Sequence, residues 1–111
     1  MAFSFSRLII FETDVLTSKE AFTLLKEKGF QMERLGNAAC LGKIDDYDVR
    51  LGFKKGIPAW RCSCKKLGSL CSHAIAIALV WDRSRNVPDP SMEDIVDLIN
   101  YKVSLKPNSF L

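Results

Sequence analysis

The sequence predicts an α+β fold: a small antiparallel sheet with helices packed against it. Three observations predict it. Tyr47, Val49, Leu51 and Phe53 alternate with Asp48, Arg50 and Gly52, which gives one apolar and one solvated face, as in a half-buried strand. Gly36-Asn37 and Asp45-Asp46 are turn signals that separate this run from two further strand-like segments. On both sides of that region apolar residues recur at helical spacing.

The elements follow in chain order. Phe3, Phe5 and residues 8–11 are aromatic or branched and suit a strand. Thr17 and Glu20 stand at capping-box spacing, Ala21, Phe22, Leu24 and Leu25 form an apolar face, and Gly29 sits where a helix ends; a helix is expected over residues 18–28. Strands are expected over 30–35, 38–44 and 47–53. After a turn at 54–58, residues 59–64 return antiparallel. His73, Ile75, Ile77 and Leu79 share one parity, as a strand would. Ala74, Ala76 and Ala78 are strong helix formers, however, and Ser72 is a good N-cap, so a largely buried helix is expected over 73–83. Residues 86–90 read as a loop. Ser91 then caps a helix with the stripe Met92, Ile95, Val96 and Ile99, Tyr101, Val103 and Leu105 suit a short extended tail, and residues 107–111 are expected to fray.

At 111 residues the chain is expected to form one domain. Residues 30–83 are its central module and residues 1–29 and 84–111 its flanks. No apolar run approaches the roughly 20 residues that span a bilayer. Arg7, Glu12 and Asp14 interrupt the apolar start, and no small-residue cleavage site follows it. An intracellular protein is expected, cytoplasmic or at the nucleoid in a prokaryote and nuclear in a eukaryote. Thiols are reduced there, so the four cysteines point to metal or reactivity more than to disulfides.

Charge is unevenly distributed. Residues 1–49 and 86–111 each carry a net −2, whereas residues 50–85 carry +7, with Asp82 their single acid. Arg50, Lys54, Lys55, Arg61, Lys65 and Lys66 fall within 17 residues that contain no acid.

The cysteines coincide with this basic stretch. Cys62-Ser63-Cys64, six residues, and Cys71-Ser72-His73 supply three thiols and the single histidine of the chain. That is one complete tetrahedral set for zinc, and four protein ligands leave no open position for catalysis. Three thiolates and a neutral imidazole leave a net charge of about −1 after zinc, which Arg61, Lys65 and Lys66 would offset. A strand end places Cys62 and Cys64 on one side, and the spacer suffices to turn into a helix carrying His73, so a zinc-pinned ββα unit is expected. Core burial, disulfides that include Cys40, or a Cys-x-Cys redox pair are the competing readings; the paired spacing favours metal. Cys40 has no neighbouring ligand and is expected to be an inert core thiol. With the only histidine committed, no base remains for a cysteine nucleophile, and no enzyme is expected.

The stretch YDVRLGFKKGIPAWRCSCKKLGSLCSHAIAIAL resembles the SWIM zinc finger, a Cys-x-Cys, variable spacer, Cys-x-His pattern built as two strands and a helix. Such modules occur in chromatin-remodelling ATPases, transposase-related proteins, factors that accompany RecA-like recombinases, and small prokaryotic proteins. The resemblance implies binding to DNA or to protein partners. The chain as given carries no ATPase or transposase domain, so an accessory subunit in recombination, repair or remodelling is expected.

Charge supports DNA, single- or double-stranded, through Arg50, Lys54, Lys55, Arg61, Lys65 and Lys66, with Trp60 as a stacking group. Nothing reads as a base-specific recognition helix, so phosphate contacts would dominate. The competing expectation is an adaptor for a RecA-like recombinase or an SNF2-type ATPase, anchored through Trp81, Phe110 or the Met92 stripe.

Overall fold

A computed structural model describes residues 3–64 and 70–105, the last five of these as backbone only. Four antiparallel strands form one sheet in the order β1-β2-β3-β4: β1 Phe30–Arg34, β2 Cys40–Ile44, β3 Tyr47–Lys54 and β4 Ile57–Cys62. The turns are tight because residues with positive φ occupy them. Asp45 and Asp46 have φ of 50° and 64°, and Lys55 and Gly56 have 53° and 78°, the pattern of two-residue type I′ hairpins. The fourth strand therefore starts two residues earlier than the Pro58 turn signal suggested.

Register assigns the two faces. Cys40 pairs with Leu51 and Leu51 with Trp60, while Gly42 pairs with Val49 and Val49 with Cys62. These residues and Ile44 share the inner face, where Cys40, Ile44, Val49 and Leu51 are buried. The outer face carries Leu41 and Lys43 of β2, Asp48, Arg50 and Gly52 of β3, and Ala59 and Arg61 of β4.

Helix α3, Ser72–Ser84, lies across the inner face. It approaches the sheet closely at Gly42, where a Cβ would stand 2.5 Å from Ile77 Cγ2. The side of α3 away from the sheet is covered by α1, Phe5–Ile9, and α2, Val15–Glu27. A helix sandwiched in this way is apolar all round, which explains its run of alanines and isoleucines, fully buried from Ala74 to Leu79. Helix α4, Met92–Leu105, packs on a 3₁₀ turn, Ile10–Glu12, and on α2. Ser91 Oγ accepts from the Asp94 N–H at 3.0 Å and Asp94 Oδ2 accepts from the Ser91 N–H at 3.1 Å, a complete capping box. Among the described residues no helix is long and apolar enough to cross a membrane.

Several expectations are corrected. The N-terminal segment is helical and not a strand: Ser4 is its N-cap, accepting from the Arg7 N–H at 3.3 Å, and Asp82 of α3, buried and more than seventy residues away, holds the other donors of the first turn. Its carboxylate accepts from the Phe5 N–H at 2.7 Å, the Ser6 N–H at 3.1 Å and the Ser6 hydroxyl at 2.6 Å. Helix α2 starts three residues early, at Val15, because Asp14 and not Thr17 is its N-cap, accepting from the Thr17 N–H at 2.7 Å. Cys71 and not Ser72 occupies the N-cap of α3, without a side-chain capping bond. Tyr101, Val103 and Leu105 continue α4 and do not form an extended tail. Residues 107–111 lie outside the described residues.

Candidate metal centre

Two elements deliver the four expected ligands to one place. Cys62 ends β4, and the ladder is prolonged by one step beyond it: the Ser63 N–H donates to the Asp48 carbonyl at 2.9 Å, and the Asp48 N–H donates to Ser63 Oγ at 2.8 Å. This double clip fixes the middle residue of Cys62-Ser63-Cys64 against the start of β3. The returning chain is fixed just before Cys71, where Leu70 is fully buried and its carbonyl accepts from Thr13 Oγ1 at 3.1 Å. Cys71 then stands at the N-cap of α3 and His73 in its first turn.

The ligand atoms of Cys62, Cys64, Cys71 and His73 all lie within 4.8 Å of one another. Zinc–sulfur bonds of about 2.3 Å place tetrahedral sulfurs about 3.8 Å apart, so the set closes on one ion with small side-chain movements. The chemistry of the donors agrees. Nδ1 of His73 is buried without a hydrogen-bond partner, and an orphaned buried nitrogen of this kind calls for an explanation such as an ion. Burial holds the imidazole pKa below its ordinary value, against a weaker upward pull from Asp45 and Glu20, and so keeps it neutral as a metal requires. The Tyr47 ring covers it, with centroids 4.3 Å apart. None of the four cysteines is in a disulfide, and burial pushes the Cys62 and Cys71 thiols up in the metal-free site. Zinc, when bound, supplies a positive charge that stabilises thiolates which burial alone disfavours. Cys40 stands apart, fully buried on the inner sheet face, its thiol pushed up to about 12 by burial.

Residues 47–82 match the family model described as SWIM zinc finger. Over this segment the chain is similar to a SWIM zinc finger. The match runs from the first residue of β3 to the last turn of α3, so the finger is the β3–β4–α3 unit, with a cysteine and histidine cluster able to hold one zinc ion. Helices α1, α2 and α4 and strands β1 and β2 lie outside the matched residues. Comparisons with curated proteins and with solved structures gave no match.

The expected nucleic-acid contacts divide. Arg50 and Arg61 face each other directly across β3 and β4 on the outer face, both exposed. Lys54 and Lys55 are exposed at the hairpin tip of the finger. Trp60 is the exception. Because neighbours along a strand point to opposite faces, it turns away from Arg61, pairs with buried Leu51 and packs half-buried against the core. It is no exposed stacking platform beside the arginines. Lys65 and Lys66 lie outside the described residues. Of the protein-contact anchors, Trp81 is fully buried, Phe110 lies outside the described residues, and Met92 is half-buried. Sequence reasoning missed Ser63 and Asp48, whose clip has no signal beyond a hydroxyl residue between two cysteines, and Thr13, which acts on the finger from outside it.

Proposed function

We propose that the SWIM finger is a non-enzymatic module that binds nucleic acid through phosphate contacts on the outer face of its β3–β4 hairpin. The observation that carries this reading is the pair Arg50 and Arg61. Like charges directly opposed across a ladder destabilise it, and no carboxylate of the described residues pairs with either arginine or with Lys54 and Lys55. Four unpaired cations on one exposed ribbon suit a polyanion. The helix of the finger is buried on all sides and therefore unfit to enter a groove, which favours phosphate contacts over base readout. An intracellular accessory role beside a recombinase or remodelling ATPase agrees with the family's contexts.

A second reading, a protein adaptor, has one observation in its favour. Lys19, Phe22, Thr23, Pro90 and Met92 line a groove of about 410 Å³ between α2 and the start of α4, with none of the four hairpin cations among its lining residues. Salt separates the two. Binding of a labelled oligonucleotide by the wild type should weaken with a log–log salt slope of about −3 to −4, as expected for about four phosphate contacts. Lys54→Glu with Lys55→Glu should spare folding and reduce that slope by about two. Affinity that is indifferent to salt and to these substitutions would move the function off the hairpin.

A further inference from the structure

The tip of the finger's hairpin exposes a large apolar side chain among its cations. Ile57, the first residue of β4, is 67% exposed. Single exposed apolar residues are ordinary, and Leu16 is equally exposed in the first turn of α2. The surroundings of Ile57 set it apart. It pairs directly with Lys54 across the ribbon, and the two-residue turn between them is Lys55-Gly56. Lys55 takes φ 53°, a left-handed conformation that asparagine or glycine adopts with less strain, so a cation stands at the apex where turn stability alone favours another residue.

The tip is also held firmly. Phe53, one step back on β3, packs edge-on against Phe3 and Phe5 with centroid distances of 5.5 Å each. Along β4 the alternation places Ile57, Ala59 and Arg61 on one face, and four residue steps along the strand separate Ile57 from Arg61 by about 13 Å. An apolar tip flanked by two lysines therefore lies one short saddle, floored by small Ala59, from the opposed arginines.

The geometry points to Ile57 as a wedge that enters the base stack of duplex DNA, with Lys54 and Lys55 on the flanking phosphates and Arg50 and Arg61 holding the backbone further along. This rests on the nucleic-acid reading above and goes beyond it. A two-stranded ribbon fits a DNA groove, and an isoleucine inserted at a base step partly unstacks it and bends the duplex. The unstacking is easier where pairing is already weakened, so the wedge gives a preference for distorted over intact duplex.

The test uses the full-length, zinc-loaded protein and a duplex containing 2-aminopurine, whose fluorescence rises on unstacking, with and without a single mismatch. The wild type should raise the fluorescence and bind the mismatched duplex about tenfold more tightly than the intact one. Ile57→Ala should remove both effects while leaving the thermal transition and the salt slope unchanged, and Ile57→Leu should restore them. A wild type that binds DNA with silent 2-aminopurine, or an Ile57→Ala variant indistinguishable from it, overturns the wedge and leaves the charged-face reading standing. A wild type that binds no DNA overturns both. Ile57-dependent binding to vesicles of anionic phospholipid, without Ile57-dependent binding to DNA, assigns the tip to a membrane surface and also overturns the wedge.

Discussion

His73 stands in the first turn of α3 with Nδ1 buried and unpartnered, beside three sulfur atoms within 4.8 Å. In the metal-free site burial raises the pKa of Cys62 and Cys71 above the usual thiol value and lowers that of His73 below 6.5. The sign of the pH dependence follows. At pH 7 the Cys62 and Cys71 thiols are protonated and the imidazole is neutral, so zinc must displace protons from sulfur and none from nitrogen. Binding at pH 7 should release at least the two protons of Cys62 and Cys71, and zinc affinity should rise steeply with pH through the neutral range. Calorimetry in buffers of different ionisation enthalpy measures the number, and release of one proton or none would exclude a three-thiolate site. The ligand set was legible in the sequence because metal spacing is local: two tight pairs within twelve residues. The Ser63–Asp48 clip was not, since it depends on the register of β3 and β4 and not on residue type.

At the scale of elements, α3 is the common support. It presents Cys71 and His73 at one end, crosses the sheet at Gly42, and holds α1 through Asp82 near the other. Asp82 is fully buried and also accepts from Ser4 Oγ at 3.0 Å and Arg85 Nη2 at 2.7 Å. Asp82→Ala would leave these donors and the Arg85 charge without their acceptor. It should cost about 3–5 kcal/mol, read as a lower denaturant midpoint, with Asp82→Asn in between. Gly42→Ala should cost about 1–3 kcal/mol through overpacking on Ile77. Ile77→Val should recover part of that loss in the double variant; strictly additive effects would show that the two sites do not touch. These pairings also account for what could be read from the chain. The alternation of Tyr47 to Phe53, the alanine-rich helix and the Ser91 cap are local patterns, and the structure agrees with each. The N-terminal helix was read as a strand although Ser4 caps it locally, because its aromatic and branched residues suit a strand and the Asp82 carboxylate that holds its first turn comes from α3, beyond any local window. Trp60 was read as exposed because its neighbour Arg61 is, although one step along a strand reverses the face.

For the molecule as a whole, metal site and core are not separable. Leu70, Cys71, Ile75 and Ile77 belong to the same buried cluster as Phe5, Ile9 and Ile10 of the N-terminal segment and Ile95 of α4. Thr13 reaches from that segment to the carbonyl just before Cys71. Zinc held by these residues would therefore act on more than the finger: it would tie the end of β4 to the start of the helix on which α1, α2 and the sheet all rest. Its four protein ligands would close the coordination sphere, which suits a structural ion, and the proposed binding face is the cation-bearing one that this unit supports. The charge pattern made that face visible in sequence, as the +7 stretch between two acidic flanks, while the division of its cations and apolar side chains between two faces needed the register.

Thermal unfolding of purified protein of measured zinc content, with and without a chelator, tests the central claim most directly. One zinc per chain is expected, and its removal should abolish or sharply lower the cooperative transition, because structural zinc contributes about 10–16 kcal/mol of binding free energy in small fingers. Cys71→Ser should behave like chelation. A preparation without zinc, or a transition that the chelator leaves unchanged, would contradict the account.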